Sequence, residues 1–227
     1  MVPVSIDALV KLADRTSSQW GLVTTAQAAA LGVSRQQLSE LANQGALERV
    51  EQGVYRATNA PASLQEPTRA TWLALGGADY TWPDVPPVIA AGQTAAILHG
   101  IGDFMPDGYD FYTPHRKGTR LPGVRLKART LTSKEISTDS EGMPVLSVER
   151  TIADLVERHV DTSLVARALA QADWAGKIVF PTRMAEYLNP LAAPNGLPPG
   201  DGAALARELY EIADLDVPDV LRTQGQH

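Results

Sequence analysis

The sequence predicts an α+β fold in which a small helical unit closed by a β-hairpin precedes a mixed α/β domain. Two short helical segments, separated by only two residues and followed by a hairpin with a glycine turn, predict the first part. Strand-like segments that alternate with helical ones from residue 88 onward predict the second part. At 227 residues, the chain is long enough to form two domains.

The first helix is predicted over residues 5–15, with Ser5 as the candidate N-cap. Ile6, Leu9, Val10 and Ala13 recur at the i, i+3, i+4, i+7 spacing of one buried helical face. We therefore expect these four side chains to point into the core.

Two further helices follow in close succession. One begins near Thr24 or Thr25 and ends at Gly32, a residue type that readily adopts the left-handed conformation found after helix ends. The next begins at Ser34, with Gln37 at the position of a reciprocal capping box, and runs to about residue 44. Because only residues 32 and 33 separate the two helices, they are predicted to form a helix-turn-helix.

A hairpin follows the two helices. It has a short strand over residues 46–50, a turn at 51–53 and a second strand over 54–56. The hairpin has the position of a wing, so the sequence predicts a winged helix-turn-helix over residues 1–60.

Residues 61–200 are predicted to form a mixed α/β domain, and residues 201–227 a C-terminal helix with a flexible acidic tail. The predicted helices of this part cover about 69–75, 92–101, 147–158, 163–174 and 203–214, and the predicted strands cover 88–90, 109–113 and 124–129.

Composition excludes several classes of site. The chain has no cysteine and its four histidines are scattered, so we expect no disulfide, no metal site and no cofactor. No apolar run approaches the roughly 18 residues of a membrane span, and the N-terminus lacks a signal-peptide pattern. We therefore expect a cytoplasmic protein with no membrane partner.

The charge of the chain is unevenly distributed. A formal net charge of −6, taken alone, opposes binding to nucleic acid. However, residues 1–60 carry five acids and five bases, residues 114–134 carry seven bases and no acid, and residues 201–219 carry six acids and one base. This segregation is compatible with a local basic face that binds DNA.

The helix over residues 34–44 has one apolar and one polar side. Leu38, Leu41 and Ala42 define the buried side. The polar side carries asparagine, glutamine and arginine, whose side chains can bind adenine and guanine edges. A recognition helix presents its N-terminal half to the major groove. The pattern favours DNA binding, and a polar face used for protein contacts is the alternative.

The candidate DNA-contacting residues lie on the helix-turn-helix and the wing. They are Thr24, Thr25, Ser34, Arg35, Gln36, Ser39, Asn43, Arg49 and Arg56. The two wing arginines are candidates for phosphate or minor-groove contacts, with ordinary solvated surface charge as the alternative.

A second basic face is predicted in the α/β domain. It comprises Arg116, Lys117, Arg120, Arg125, Lys127 and Arg129. The last three alternate with apolar residues along the predicted strand, which places three positive charges on one side of it. This side binds phosphate or an acidic partner, or it protects an edge strand by charge.

The acidic residues do not match the motifs of two enzyme classes, the nucleases and the nucleotidyltransferases. A nuclease-like metal site needs an aspartate followed on the next strand by an acid-x-Lys motif, but Asp107 is followed by Arg125 where the acid should be. The spacing of Asp107 and Asp110 does not fit a nucleotidyltransferase motif, so we interpret both as turn residues.

Arg150 and Asp154 predict an i, i+4 salt bridge worth a few tenths of a kcal/mol. We expect no catalytic residue, and keep a nuclease-like enzyme only as a further alternative.

Three segments resemble one known family. The stretch TTAQAAALGVSRQQLSELANQGALERVEQGVYR is similar to the winged-helix domain of AbiEi antitoxins from type IV toxin–antitoxin and abortive-infection systems. AAGQTAAILHGI and GMPVLSVERTIADLVER resemble the later part of the same family, including its Arg-Thr pair and following Asp. The resemblance spans roughly residues 5–160.

This resemblance implies a function. It implies an antitoxin that represses its own operon by binding inverted repeats in double-stranded operator DNA, and that counteracts a nucleotidyltransferase-like toxin. It leaves open whether antitoxin and toxin touch.

Overall fold

The computed structural model describes residues 6–77 and 84–222. The chain divides into two compact units, residues 1–79 and residues 80–227. The first is a winged helix-turn-helix and the second a mixed α/β unit, which confirms the predicted fold class. Ser5, the predicted cap of the first helix, lies outside the described residues.

The first unit contains four helices and a three-stranded antiparallel sheet among its described residues, with strand order β1-β3-β2. In chain order its elements are α1 (Ile6–Ser18), β1 (Leu22–Thr24), α2 (Thr25–Ala30), α3 (Arg35–Asn43), β2 (Leu47–Glu51), β3 (Val54–Ala57) and α4 (Glu66–Ala74). The hairpin β2–β3 is the predicted wing. The three-residue strand β1, which extends the wing sheet, was not predicted.

The inner face of α1 differs from the prediction. Ala8, Leu12 and Thr16 are buried, whereas Ile6 and Val10 are exposed. The buried face therefore follows i, i+4, i+8 spacing through Leu12, which joins the core of α2, α3 and β2. The predicted face through residues 6 and 10 was wrong because α1 has two apolar stripes, and the core covers only one of them.

Helix α4 belongs to the first unit, although the sequence suggests a boundary near residue 60. It packs against all three strands of the wing sheet. The Arg69 guanidinium lies 5.0 Å from the centre of the Trp20 ring, and Trp20 meets Trp72 edge-to-face at 5.9 Å between ring centres. These ring contacts hold α4 to the end of α1.

The second unit contains a five-stranded sheet of order β6-β5-β4-β8-β7 in its described part. The pairs β5–β6 and β4–β8 are parallel, and the other two are antiparallel. Its elements are β4 (Ile89–Ala90), α5 (Gly92–His99), β5 (Tyr109–Thr113), β6 (Val124–Ala128), β7 (Ile136–Thr138), β8 (Pro144–Leu146), α6 (Val148–Glu157), α7 (Thr162–Trp174), α8 (Pro181–Leu188), α9 (Gly202–Ile212) and α10 (Asp219–Arg222).

The helices α6, α7, α8 and α9 enclose the core of this unit. Leu205, Leu209 and Tyr210 of α9 are buried in it, so α9 is part of the core. Residues 223–227 of the predicted acidic tail lie outside the described residues. In the part of the chain that the structure describes, no helix is long and apolar enough to cross a membrane.

Candidate nucleic-acid interface

The turn between α2 and α3 is as short as predicted. The Val33 N–H donates to the Ala28 carbonyl at 2.9 Å, and the Gly32 N–H donates to the Ala29 carbonyl at 3.0 Å. Gly32 has a φ of +77°, where a side chain would be strained. This Schellman arrangement ends α2 and reverses the chain within two residues.

Both helices of the helix-turn-helix begin with a capping box. The Thr24 side chain accepts from the Gln27 N–H at 3.1 Å, and the Ser34 side chain accepts from the Gln37 N–H at 3.2 Å. The two glutamine side chains accept in return from the cap backbone, each at 2.9 Å. The predicted box at Ser34 is confirmed. The Thr24 and Ser34 hydroxyls therefore position helices.

Helix α3 exposes the polar side that the sequence predicts. Leu38 and Leu41 are buried in the core of the unit. The exposed side carries Arg35, Gln36, Ser39 and Asn43. The Gln36 amide donates to Glu40 at 3.0 Å, an exposed contact within one helix. The N-terminal half of α3 thus presents donors and acceptors that suit base edges in the major groove.

The wing tip is fastened to the start of α2. The Thr25 N–H and the Thr25 hydroxyl both donate to the Gly53 carbonyl, at 2.8 and 3.2 Å. Thr25 is therefore half-buried and bound to the wing, which gives it a structural role. Its hydrogen bonds fix the turn of the wing beside the helix-turn-helix.

The two wing arginines have different surroundings. Arg49 is exposed on β2, and no described residue forms an ion pair with it. The Arg56 guanidinium lies 2.5 Å from Glu48 and 3.4 Å from Glu66, so its charge is compensated within the unit. Arg49 remains a candidate for phosphate contact, and Arg56 holds β3 to β2 and α4.

A groove beside the wing adds a residue that the sequence analysis missed. Its lining includes Arg15 at the end of α1, Arg35 at the start of α3, and Gln52 at the wing tip. A basic residue in the last turn of α1 was visible in the sequence, but nothing in its spacing connected it to residues 35 and 52. The fold brings two arginines to one concave surface.

The basic strand β6 does not offer three free charges. Arg125 forms a bidentate pair with Asp110 of β5, at 2.8 and 3.1 Å. Lys127 and Arg129 contact Glu157 of α6, at 3.0 and 2.6 Å. The second basic face stays a prediction for this strand, whose three cations are each paired with an acid that is distant in sequence. β6 is an edge strand, as the alternative interpretation required.

Glu157 receives hydrogen bonds from several cations. Burial alone would raise its pKa, but hydrogen bonds from Arg129, Lys127 and Arg150 outweigh that effect and lower the pKa to about 2. The carboxylate therefore stays ionised at neutral pH.

The loop between β5 and β6 keeps the other half of the predicted basic face. Arg116, Lys117 and Arg120 are exposed there. Arg116 and Arg120 form no ion pair with any residue that the structure describes. This basic loop, residues 115–120, is a part of the second unit that can attract phosphate.

Asp154 is the centre of a buried charge cluster. It has no exposed surface, and it accepts the Gly92 N–H at 2.8 Å and Arg158 Nε at 2.9 Å. It also accepts the Tyr112 hydroxyl. A Cβ on Gly92 would lie 2.9 Å from Arg158 Nε, so a glycine is needed at this close approach.

The predicted Arg150–Asp154 salt bridge is present at 3.8 Å, but both side chains are buried. A few tenths of a kcal/mol applies to an exposed helix pair, so this value does not carry over to the buried pair. Burial and, secondarily, the negative charge of Asp154 raise the pKa of Tyr112 to about 12. Tyr112 therefore stays protonated and can donate to the carboxylate.

The two aspartates considered for catalysis have different positions. Asp107 is exposed and lies 3.9 Å from Arg125. Asp110 is not a turn residue, as the sequence suggested, but lies buried on β5 and is paired with Arg125 and Arg158. Among residues 6–77 and 84–222, no group of three or more acidic or histidine side chains is arranged to hold a metal ion.

Comparison with known families gives a match within the first unit. Residues 10–58 match a family model described as AbiEi_4, a transcriptional regulator and AbiEi antitoxin. The match covers α1 from residue 10 onward, the helix-turn-helix and the wing. It confirms the resemblance to AbiEi antitoxins for this segment.

A comparison with solved structures supports the fold. The chain is similar to the crystal structure of the RV2827C protein from Mycobacterium tuberculosis, with a TM-score of 0.52 and 17% sequence identity. The similarity covers 92% of this chain and 78% of the other. A search of curated proteins gives no match.

Proposed function

We propose that this protein is a DNA-binding antitoxin that represses transcription of its own operon. The observation that carries the proposal is the exposed polar side of α3, held by two capping boxes beside a wing, in a segment that matches antitoxin regulators. A helix so placed can enter the major groove. The operator would be an inverted repeat in double-stranded DNA.

Arg35, Gln36, Ser39 and Asn43 are the proposed base-contacting residues, and Arg49 is the proposed phosphate contact. Thr24, Thr25 and Ser34 support them by fixing the helix starts and the wing. Arg56, which is paired with two glutamates, is not part of the proposed interface.

We expect Gln36→Ala and Ser39→Ala to reduce discrimination between operator and other DNA. Each variant loses a base-edge contact. The ratio of its affinities for the DNA upstream of the gene and for a scrambled fragment should therefore fall by a factor that corresponds to about 1–3 kcal/mol of binding free energy. Gel shifts with both fragments at one salt concentration measure this ratio.

Ser17→Ala, on the exposed side of α1, is the control and should keep the wild-type ratio. If the wild-type protein binds both fragments equally, or binds neither, the proposal fails and a module for protein contacts becomes the better explanation of the polar helix.

The basic loop is proposed to supply attraction that is independent of sequence. The first unit holds few unpaired cations, so additional phosphate contacts would be needed for tight binding. Arg116 and Arg120 are the proposed contacts, in place of the strand cations that pair with acids.

We expect the double substitution Arg116→Gln and Arg120→Gln to weaken binding to every DNA sequence. The slope of log affinity against log salt concentration should become shallower by about 1 for each arginine that contacts phosphate. Lys127→Gln removes a cation that is already paired with Glu157, and should leave the slope unchanged. The opposite pattern would show that the strand, and not the loop, meets DNA.

The toxin is the final part of the proposal. The family resemblance supports a nucleotidyltransferase-like toxin as the protein that this antitoxin counteracts, and a cytoplasmic location in which both act. Neither depends on the geometry of the winged unit.

A further inference from the structure

An apolar groove lies between α7 and the end of α9 in the second unit. Its apolar lining comprises Ala166, Ala170, Trp174, Ile212 and Ala213, and Ser163, Arg167 and Gln171 complete the lining. Trp174 is 74% exposed and Ile212 is 53% exposed, which is unusual for large apolar side chains that share one concave surface. We call this surface the α7–α9 groove.

Three exposed acids lie close in the chain to residues that line this groove. Glu208 lies one turn before Ile212 on the same side of α9, and Asp173 and Asp214 directly follow or precede lining residues in the chain. None of these three forms an ion pair with a described residue. Arg167 itself lines the groove, and its charge is paired with Asp103 at 2.6 Å. The rim therefore carries a net negative charge.

We propose that the α7–α9 groove binds an amphipathic helix of a different protein, whose apolar side chains are flanked by lysine and arginine. The apolar floor would take the anchoring side chains, and the acidic rim would select basic flanks. From Ala166 to Trp174 the groove follows about 12 Å of helix axis, which matches about two turns of a bound helix.

The negative charge of the groove rim disfavours nucleic acid, anionic lipid and a second copy of this chain as ligands of the groove. The acidic rim repels nucleic acid and anionic lipid surfaces. A second copy of this chain fits less well than a helix with basic flanks, because its exposed apolar stripe on α1 (Ile6, Val10) is flanked by Asp14 and by Asp7, which is already paired with Lys11 at 2.5 Å. Groove-to-groove association would likewise place acids against acids. The inference does not depend on DNA binding.

Two matched helical peptides test the proposal on the full chain. Both carry the same leucine stripe, and their polar faces are built from lysine in one and from glutamate in the other. We expect the lysine peptide to bind at least ten times more tightly in fluorescence anisotropy, and Trp174→Ser and Ile212→Ser each to weaken its binding at least tenfold. Both side chains are largely exposed, so both variants should fold.

Val179→Ser removes an apolar side chain that is exposed elsewhere on the unit, and should bind like the wild type. Equal binding of the two peptides, absence of binding, or binding that Trp174→Ser leaves unchanged would overturn the proposal. So would a dimer in sedimentation velocity that Trp174→Ser dissociates, since the occupant would then be a second copy.

Discussion

Replacing Asp154 by asparagine is expected to lower the free energy of unfolding of the second unit by about 3–5 kcal/mol, because it breaks a buried charge cluster. The substitution keeps the shape of the side chain but removes its charge. The buried Arg150 and the partly buried Arg158 would then have less compensating charge, and the new amide N–H group would meet donors. Urea unfolding followed by circular dichroism measures the loss.

The Arg167–Asp103 pair provides a matched control. Its side chains are 63% and 50% exposed at a separation of 2.6 Å. Asp103→Asn should therefore cost less than about 1 kcal/mol. If both variants unfold at the same urea concentration, Asp154 does not hold the cluster together.

Leu38→Ala is the second large effect that we expect. Leu38 has no exposed surface and joins α3 to the core of the first unit. Removing it should cost about 2–5 kcal/mol, because a large buried side chain is replaced by a cavity. Amide hydrogen exchange of α2 and α3 should accelerate. DNA affinity should fall, although Gln36, Ser39 and Asn43 are unchanged.

Ser39→Ala changes the next residue, which lies on the exposed side of α3. This variant distinguishes a loss of recognition from a loss of stability. We expect its free energy of unfolding to stay within about 0.5 kcal/mol of the wild type, because the side chain is exposed. Unchanged exchange rates in Leu38→Ala would contradict the packing of α3 described above.

Local patterns were sufficient to predict the helix-turn-helix and the wing. Capping residues, a glycine at the turn and apolar spacing act within a few residues, and they fix where α2 and α3 begin and end. The same applies to Ser147 at the start of the helix predicted over 147–158, whose side chain accepts from the Arg150 N–H and caps α6. These features need no knowledge of the tertiary fold.

Other features depend on contacts that are distant in sequence. Spacing alone does not choose between the two apolar stripes of α1, and the core formed with β1, α2 and α3 selects Leu12 over Val10. Arg125, Lys127 and Arg129 looked like a binding face because their partners Asp110 and Glu157 come from other elements. A run of like charges on a strand therefore indicates a binding surface only when no opposing acid packs beside it.

The two hydrogen bonds from Thr25 to the Gly53 carbonyl have a consequence for the geometry of binding. They fix the distance between the wing tip and the start of α2 before DNA binds. The spacing between the wing and the helix-turn-helix is therefore set in the free protein. Conformational entropy that a free hairpin would lose on association is already lost on folding. Recognition then depends on how well the groove width of the DNA matches the fixed spacing between the wing and the helix-turn-helix.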